Sequence, residues 1–171
     1  MNRRTVYLTG ATGFIGNRLA RLLAARGDRL RCLVRASSQT DRLGRVGAEL
    51  VVADITDAAA QEEGMRGCDV AYHLAAVYDL GVVDHSALER ANVEGTRAFL
   101  QALERSAVGR AVYVSTTAAL GPAVNGMGDR LTEYGGPYPS VYHRTKAAAH
   151  GLARAAQTRG ARLIIACPAF A

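Results

Sequence analysis

Cysteine is scarce in this chain of 171 residues. Cys32, Cys68 and Cys167 are odd in number, far apart, and form no CxxC or zinc-ligand pattern. That excludes a disulfide scaffold and a cysteine metal centre, and it fits reduced thiols in a cytoplasmic protein. Long hydrophobic runs are missing too: no segment approaches the roughly 18 uninterrupted apolar residues of a membrane helix. The apolar stretch behind Arg3 and Arg4 breaks at Thr9-Gly10, too early for a signal peptide. The expectation is a soluble cytoplasmic domain with no membrane partner. Aromatic residues make up only 6% of the chain, and its basic residues are scattered rather than gathered into a run. The net charge of +6 is therefore not read as nucleic-acid binding. Hydrophobic residues, at 49%, exclude a disordered chain. The length suits one α/β domain, taken as residues 1–171, and would be cramped for two.

What is present is an alternation. Val6-Tyr7-Leu8 is a short apolar run ending in Gly10-Ala11-Thr12-Gly13-Phe14-Ile15-Gly16. Ile15, Leu19, Leu22 and Leu23 then recur at helical spacing until Gly27, and a second run spans Leu30 to Val34. This is a strand, glycine turn, helix and strand in order, one βαβ unit. Further strands are expected at Glu49–Ala53, Val70–Ala76, Ala111–Ser115 and Leu163–Cys167. Helices are expected at Asp57–Met65, Ala87–Ser106 and Val141–Arg159. Continuous Val/Ile/Leu/Ala strands suit a parallel sheet covered on both faces. The expected fold is α/β, a Rossmann-type doubly wound sheet of about six strands. Gly121 to Ser140, with three of the four prolines, is too long for an ordinary connection and reads as a disordered or functional loop.

Three places carry chemistry. Glycines at 10, 13 and 16 sit where the backbone must turn and approach a ligand, and the next helix points free N–H groups at an anion, a pyrophosphate. Their spacing is G-x-x-G-x-x-G, not the G-x-G-x-x-G of the usual dinucleotide fingerprint. About 20 residues on, where an NAD site presents an acid, stands Arg35 in Val34-Arg35-Ala36-Ser37-Ser38. An arginine there suits a 2′-phosphate and favours NADP over NAD. Tyr142 and Lys146 lie four apart on one helix face, where an ammonium would favour tyrosinate and make the phenol a usable acid/base. The strand ending Ser115-Thr116-Thr117 offers hydroxyls to a substrate oxygen.

Together these residues resemble the extended short-chain dehydrogenase/reductases and their NAD(P)-dependent epimerase/dehydratase relatives. The match runs through Thr9-Gly-Ala-Thr-Gly-Phe-Ile-Gly16, Asp54-Ile55, His73-Leu-Ala-Ala76 and Asn92-Val-Glu-Gly-Thr96. It continues through Tyr113-Val-Ser-Thr-Thr-Ala-Ala-Leu-Gly121, Tyr142-xxx-Lys146 and Cys167-Pro168, in the family's order. The resemblance implies that Gly10, Thr12, Gly13 and Gly16, with the Phe14 and Ile15 amides, hold the pyrophosphate. Asp54 would accept from the adenine amino group and Ile55 would pack on its ring. Ala75, Ala76, Asn92 and Ser115 would line or support the nicotinamide side, and Pro168 would begin the segment passing it. Thr116 would be the catalytic hydroxyl, Tyr142 the acid/base, and Lys146 the lysine that binds the ribose and tunes the tyrosine. The end of strand two looks most like the dihydroflavonol-reductase-like branch, which implies NADPH, a small-molecule substrate and no metal. Family members often pair as homodimers.

Plainer readings stand beside these. Arg35 could be a solvated surface arginine, Asp54 a turn cap, His73 a packed histidine and Cys167 a small apolar filler; Asn92 could serve only backbone. Ser115 and Thr117 rival Thr116 by one residue of register. Two other functions remain open: a nucleotide-sugar epimerase or dehydratase that keeps NAD bound, and a non-catalytic dinucleotide-binding module. Family members continue well past the Pro168 region into a small substrate-binding domain. The chain is therefore expected to be the cofactor half with its catalytic residues.

Overall fold

A computed structural model of the chain describes residues 3–78, 85–121 and 136–169. Six parallel strands, β1 (Thr5–Thr9), β2 (Arg29–Val34), β3 (Glu49–Val52), β4 (Val70–His73), β5 (Arg110–Val114) and β6 (Leu163–Ala166), form one sheet in the order β3-β2-β1-β4-β5-β6. The chain runs outward from β1 to β3, then returns to the other side of β1 as β4. That reversal opens a crevice above the carboxyl ends of β1 and β4, where ligands bind in such sheets.

The pleat of β1 explains the two-sided core. Successive side chains point to opposite faces, so Val6 and Leu8 join one cluster and Tyr7 the other, all three fully buried. On the first face they meet Ala20 and Leu23 of α1 (Phe14–Ala25) and Leu43 of the short α2 (Asp41–Gly44). On the second, Tyr7 meets Met65 of α3 (Ala58–Met65), Phe99 and Leu103 of α5 (Gly95–Arg105), and Ala149 and Ala153 of α6 (Val141–Thr158). The small alanines let α6 lie close over β5 and β6.

The structure bears out the expected alternation and adds local detail. The strand expected to reach Ala76 ends at His73: the Leu74 amide still donates to the Thr9 carbonyl of β1, and Ala75 to Tyr78 run on past the ladder. The expected helix from Ala87 is interrupted: α4 (Ser86–Leu88) passes into a π-helical turn at Glu89–Glu94 before α5 begins. Such wide turns redirect side chains and concentrate at functional sites. Most of the proline-rich stretch expected as a loop (122–135), and the middle of the Tyr78–His85 stretch (79–84), lie outside the described residues. Among the described residues no helix is long and apolar enough to cross a membrane.

Candidate active site

The glycine turn lies where the crevice opens. Gly10 has φ +73°, and a Cβ there would sit 2.6 Å from the backbone of Leu74 and Ala75. At Gly16 a Cβ would come within 2.1 Å of the Gly10 carbonyl oxygen. Only glycine lets β1, the turn, the start of α1 and the segment after β4 converge this closely. No side chain caps α1, and its first turn carries no acid. Its leading N–H groups and positive dipole end are therefore left for an anion. Thr12, Gly13, Phe14 and Ile15 are exposed around that end, Phe14 to 82%. These features fit a dinucleotide pyrophosphate.

Behind the turn a polar web is buried and fully ordered. Thr96 Oγ1 donates to the Asn92 carbonyl at 2.7 Å, so it accepts from His73 Nε2–H at 3.2 Å. His73 Nδ1 is then the acceptor for the Thr9 hydroxyl at 2.8 Å, and Thr9 Oγ1 accepts from the Ala75 amide at 3.3 Å. The imidazole is stacked on Phe99 and fully buried, and burial holds its pKa down to about 3, with Lys146 adding to that. It is a neutral structural histidine. Asn92, redirected by the π turn, accepts from the Val77 amide at 2.8 Å and donates to the Val77 carbonyl and Thr145 Oγ1, each at 3.1 Å. Asn92 thus does more than serve its own helix: it clamps the segment after β4 to α6.

On the far side of that segment stand the expected catalytic residues. Thr116 caps the 3₁₀ turn Thr117–Leu120, accepting from the Ala118 amide, and its hydroxyl also hydrogen-bonds Tyr142. Ser115 turns the other way, to His150 Nδ1 at 2.9 Å, and Thr117 is exposed. The structure thus sets Thr116, of the three, beside the tyrosine. Tyr142 packs edge-on against Tyr78 at 4.8 Å between ring centres.

Lys146 is 3% exposed, one turn along α6 from Tyr142. Its Nζ donates to the Val114 carbonyl at 3.3 Å and the Tyr113 hydroxyl at 3.4 Å, both long for an ammonium. Burial pulls its pKa down to about 8, with Cys167 opposing. The expectation that Lys146 lowers the Tyr142 pKa is not what this arrangement does. Burial raises the Tyr142 phenol, Tyr78 adds to the rise, and the Thr116 hydrogen bond opposes it. The ammonium is turned toward β5 instead of the phenol.

The remaining expected residues ring the crevice. Asp54 accepts from the Thr56 amide and hydroxyl and pairs with Arg90 at 3.1 Å, which hold its carboxyl down at about 2. The cap of α3 is Asp57, not Asp54. Ile55 packs over Gly95, Ala75 is half-buried and Ala76 exposed, and the Pro168 carbonyl accepts from the Thr117 amide. Arg35 is exposed, its amide bonded to Ser38 Oγ in a tight turn. Sequence reasoning missed Arg42 and Arg45, which with Asn17, Arg21 and Val46 line a cleft of about 490 Å³ between α1 and α2. It also missed a compositional signal: Lys146 is the only lysine in the chain, against 20 arginines. Among the described residues no three His, Cys, Asp or Glu side chains gather as a metal site.

Residues 6–169 match the NAD dependent epimerase/dehydratase family. The chain is 38% identical over 166 residues to a Synechocystis protein named "Putative dihydroflavonol 4-reductase", covering 95% of this chain and 48% of that one. It is 32% identical to 4-hydroxy-2-methyl-3-oxo-4-farnesyl-3,4-dihydroquinoline-1-oxide ketoreductase of Stigmatella aurantiaca, covering 96% and 49%. The dTDP-glucose 4,6-dehydratase DesIV of Streptomyces venezuelae, solved with NAD bound, superposes with a TM-score of 0.82 at 29% identity, covering 94% of this chain and 54% of that one. The chain spans about half the length of the curated relatives it matches.

Proposed function

The chain belongs to the NAD-dependent epimerase/dehydratase family, and from that premise we propose that it is the cofactor-binding and catalytic part of an NADP(H)-dependent reductase. The reaction is reversible hydride transfer at a carbonyl or carbinol carbon of a small molecule. The observation that carries this reading is Lys146. In a chain that otherwise uses arginine for every basic side chain, one lysine is kept, and it is buried at the crevice with two long contacts. A compact ammonium with a donor to spare suits a sugar hydroxyl, and an arginine fork would not replace it there.

The roles follow from position. The glycine turn and the α1 N-terminus hold the pyrophosphate, and Asp54 with Ile55 receives the adenine. Ala75, Ala76, Asn92, Ser115 and Pro168 shape the nicotinamide side. When bound, the nicotinamide supplies or accepts the hydride. Tyr142 gives its proton to the substrate oxygen during reduction and takes it back during oxidation, while Thr116, bonded to that phenol, steadies the same oxygen. Lys146 holds the ribose and, once its ammonium turns from β5 toward the phenol, favours tyrosinate. In the full-length enzyme, Tyr142→Phe should lower turnover with NADPH by about 10²–10⁴; unchanged turnover would overturn the assignment.

Arg35 supports NADP(H), and the arginine-lined cleft at Arg21, Arg42 and Arg45 places more positive charge beyond the same strand end. NADPH should raise the melting temperature more than NADH does, and Arg35→Ala should narrow the gap. An equal or larger shift with NADH would favour the second reading, a nucleotide-sugar epimerase or dehydratase. The likeness to a dehydratase solved with NAD bound is the observation on that side.

A further inference from the structure

His150 takes no part in the chemistry above, yet it is built into the site. It lies one turn beyond Lys146 on α6 and is 9% exposed. Its Nδ1 meets Ser115 Oγ at 2.9 Å. Ser115 follows directly on β5, two residues past Tyr113, whose hydroxyl accepts from Lys146 Nζ at 3.4 Å. Tyr113 is buried and its phenol is held protonated. Two residues that titrate thus stand one turn apart on α6, one bonded to Tyr113 of β5 and the other to Ser115 just past its end.

An ammonium only donates, so Tyr113 Oη accepts from Lys146. A neutral His150 meets Ser115 Oγ through Nδ1 without adding charge. A protonated His150 donates from Nδ1 to the Ser115 oxygen and brings a second positive charge onto the same buried stretch of α6.

We propose that His150 sets the ionisation of Lys146: neutral, it leaves the ammonium undisturbed, and protonated, it sets a second cation one helical turn away in the same buried site. The charged groups acting on His150 are Lys146 and Arg154, both cations of its own helix. From β5 it meets the neutral Ser115, while Cys167, after β6, acts on Lys146. Burial and the two cations lower the His150 pKa from its usual 6.5, so the imidazole is neutral at pH 7. Protonation on acidification drives Lys146 toward its neutral form. The consequence for catalysis rests on the role proposed for Lys146; the coupling itself does not.

The lone lysine makes the test direct. Protein grown with 13Cε-lysine carries a single labelled side chain, whose NMR shift reports Lys146 ionisation with no substrate or cofactor present. In the wild type the main step should fall near pH 8, with a smaller second inflection below pH 6.5 as His150 takes its proton. His150→Gln, which keeps a neutral acceptor for Ser115, should hold the main step and lose the small one. His150→Arg should move the main step down by about one unit. A wild-type curve without the acid inflection, or one that His150→Gln leaves in place, would overturn the proposal even if His150→Arg fails to fold. Neither result touches the Tyr142→Phe test, so the two readings fail separately.

Discussion

Two buried polar centres flank the crevice, and they are built on opposite principles. Around His73 every polar atom is spoken for: Thr9, Thr96 and the Ala75 amide close a loop of hydrogen bonds on an imidazole stacked against Phe99. Around Lys146 a full charge is buried on two long contacts, and among the described residues no carboxylate is paired with it. A closed buried network rigidifies what it joins, while a buried charge left short of partners raises the free energy of the fold. The first centre fixes where the strand ends lie. The second leaves an ammonium short of partners at the crevice, as the proposed ribose contact requires, and the fold bears the cost.

The sharpest way to test that contrast is to remove each centre. Lys146→Met should abolish turnover of the full-length enzyme, by at least about 10², and still raise stability by about 1–3 kcal/mol at pH 7. The sign follows from the lowered pKa. At pH 7 both the folded and unfolded chains carry the charge, so the burial cost is fully present. From about pH 8 up to 10.5 the folded lysine sheds its proton before the unfolded one does, and wild-type stability recovers. The advantage of Lys146→Met, read as the difference in melting temperature, should therefore shrink across that window. A variant that melts earlier than wild type at pH 7 would break the comparison.

His73→Leu should do the reverse, costing about 2–4 kcal/mol by stranding the Thr9 hydroxyl proton and taking a donor from Thr96 Oγ1, or about 6–12 °C in melting temperature. Its pH dependence has a definite direction as well. With the folded pKa near 3 and the unfolded near 6.5, wild-type stability is full above pH 6.5 and declines as the pH falls toward 3. Part of that decline should vanish in His73→Leu, as acid titrations followed by circular dichroism would read. Smallest of all, Arg90→Ala breaks an ion pair between half-exposed partners at Asp54 and should change stability by less than about 1 kcal/mol. A larger loss would mean that this exposed pair behaves like the buried centres.

Much of this was legible before any coordinates. The six strands, the glycine turn and the Tyr142–Lys146 pair follow from periodicity and spacing, because each is a local pattern of period 2, 3 or 4 along the chain. The choice among Ser115, Thr116 and Thr117 was not legible, since it depends on where β5 ends and which hydroxyl faces α6. The direction of the Lys146 ammonium is hidden from the sequence for a related reason. Four residues of spacing put it on the tyrosine's face of the helix, but the buried acceptors on β5 decide where it points. The π turn that aims Asn92 at Val77 leaves no mark in a helical pattern that continues on either side of it.

The sequence by itself determined the order of strands and helices, the place of the glycine turn and the four-residue spacing that puts Tyr142 and the single lysine on one helix face. Those are properties of neighbours along the chain, set by sterics and side-chain chemistry. Only the tertiary structure decided that His73 is closed in and Lys146 is not, and that His150 stands behind it. Hydrogen-bond partners come from segments 23 to 64 residues apart, and a buried group's ionisation follows from what those distant segments bring to it.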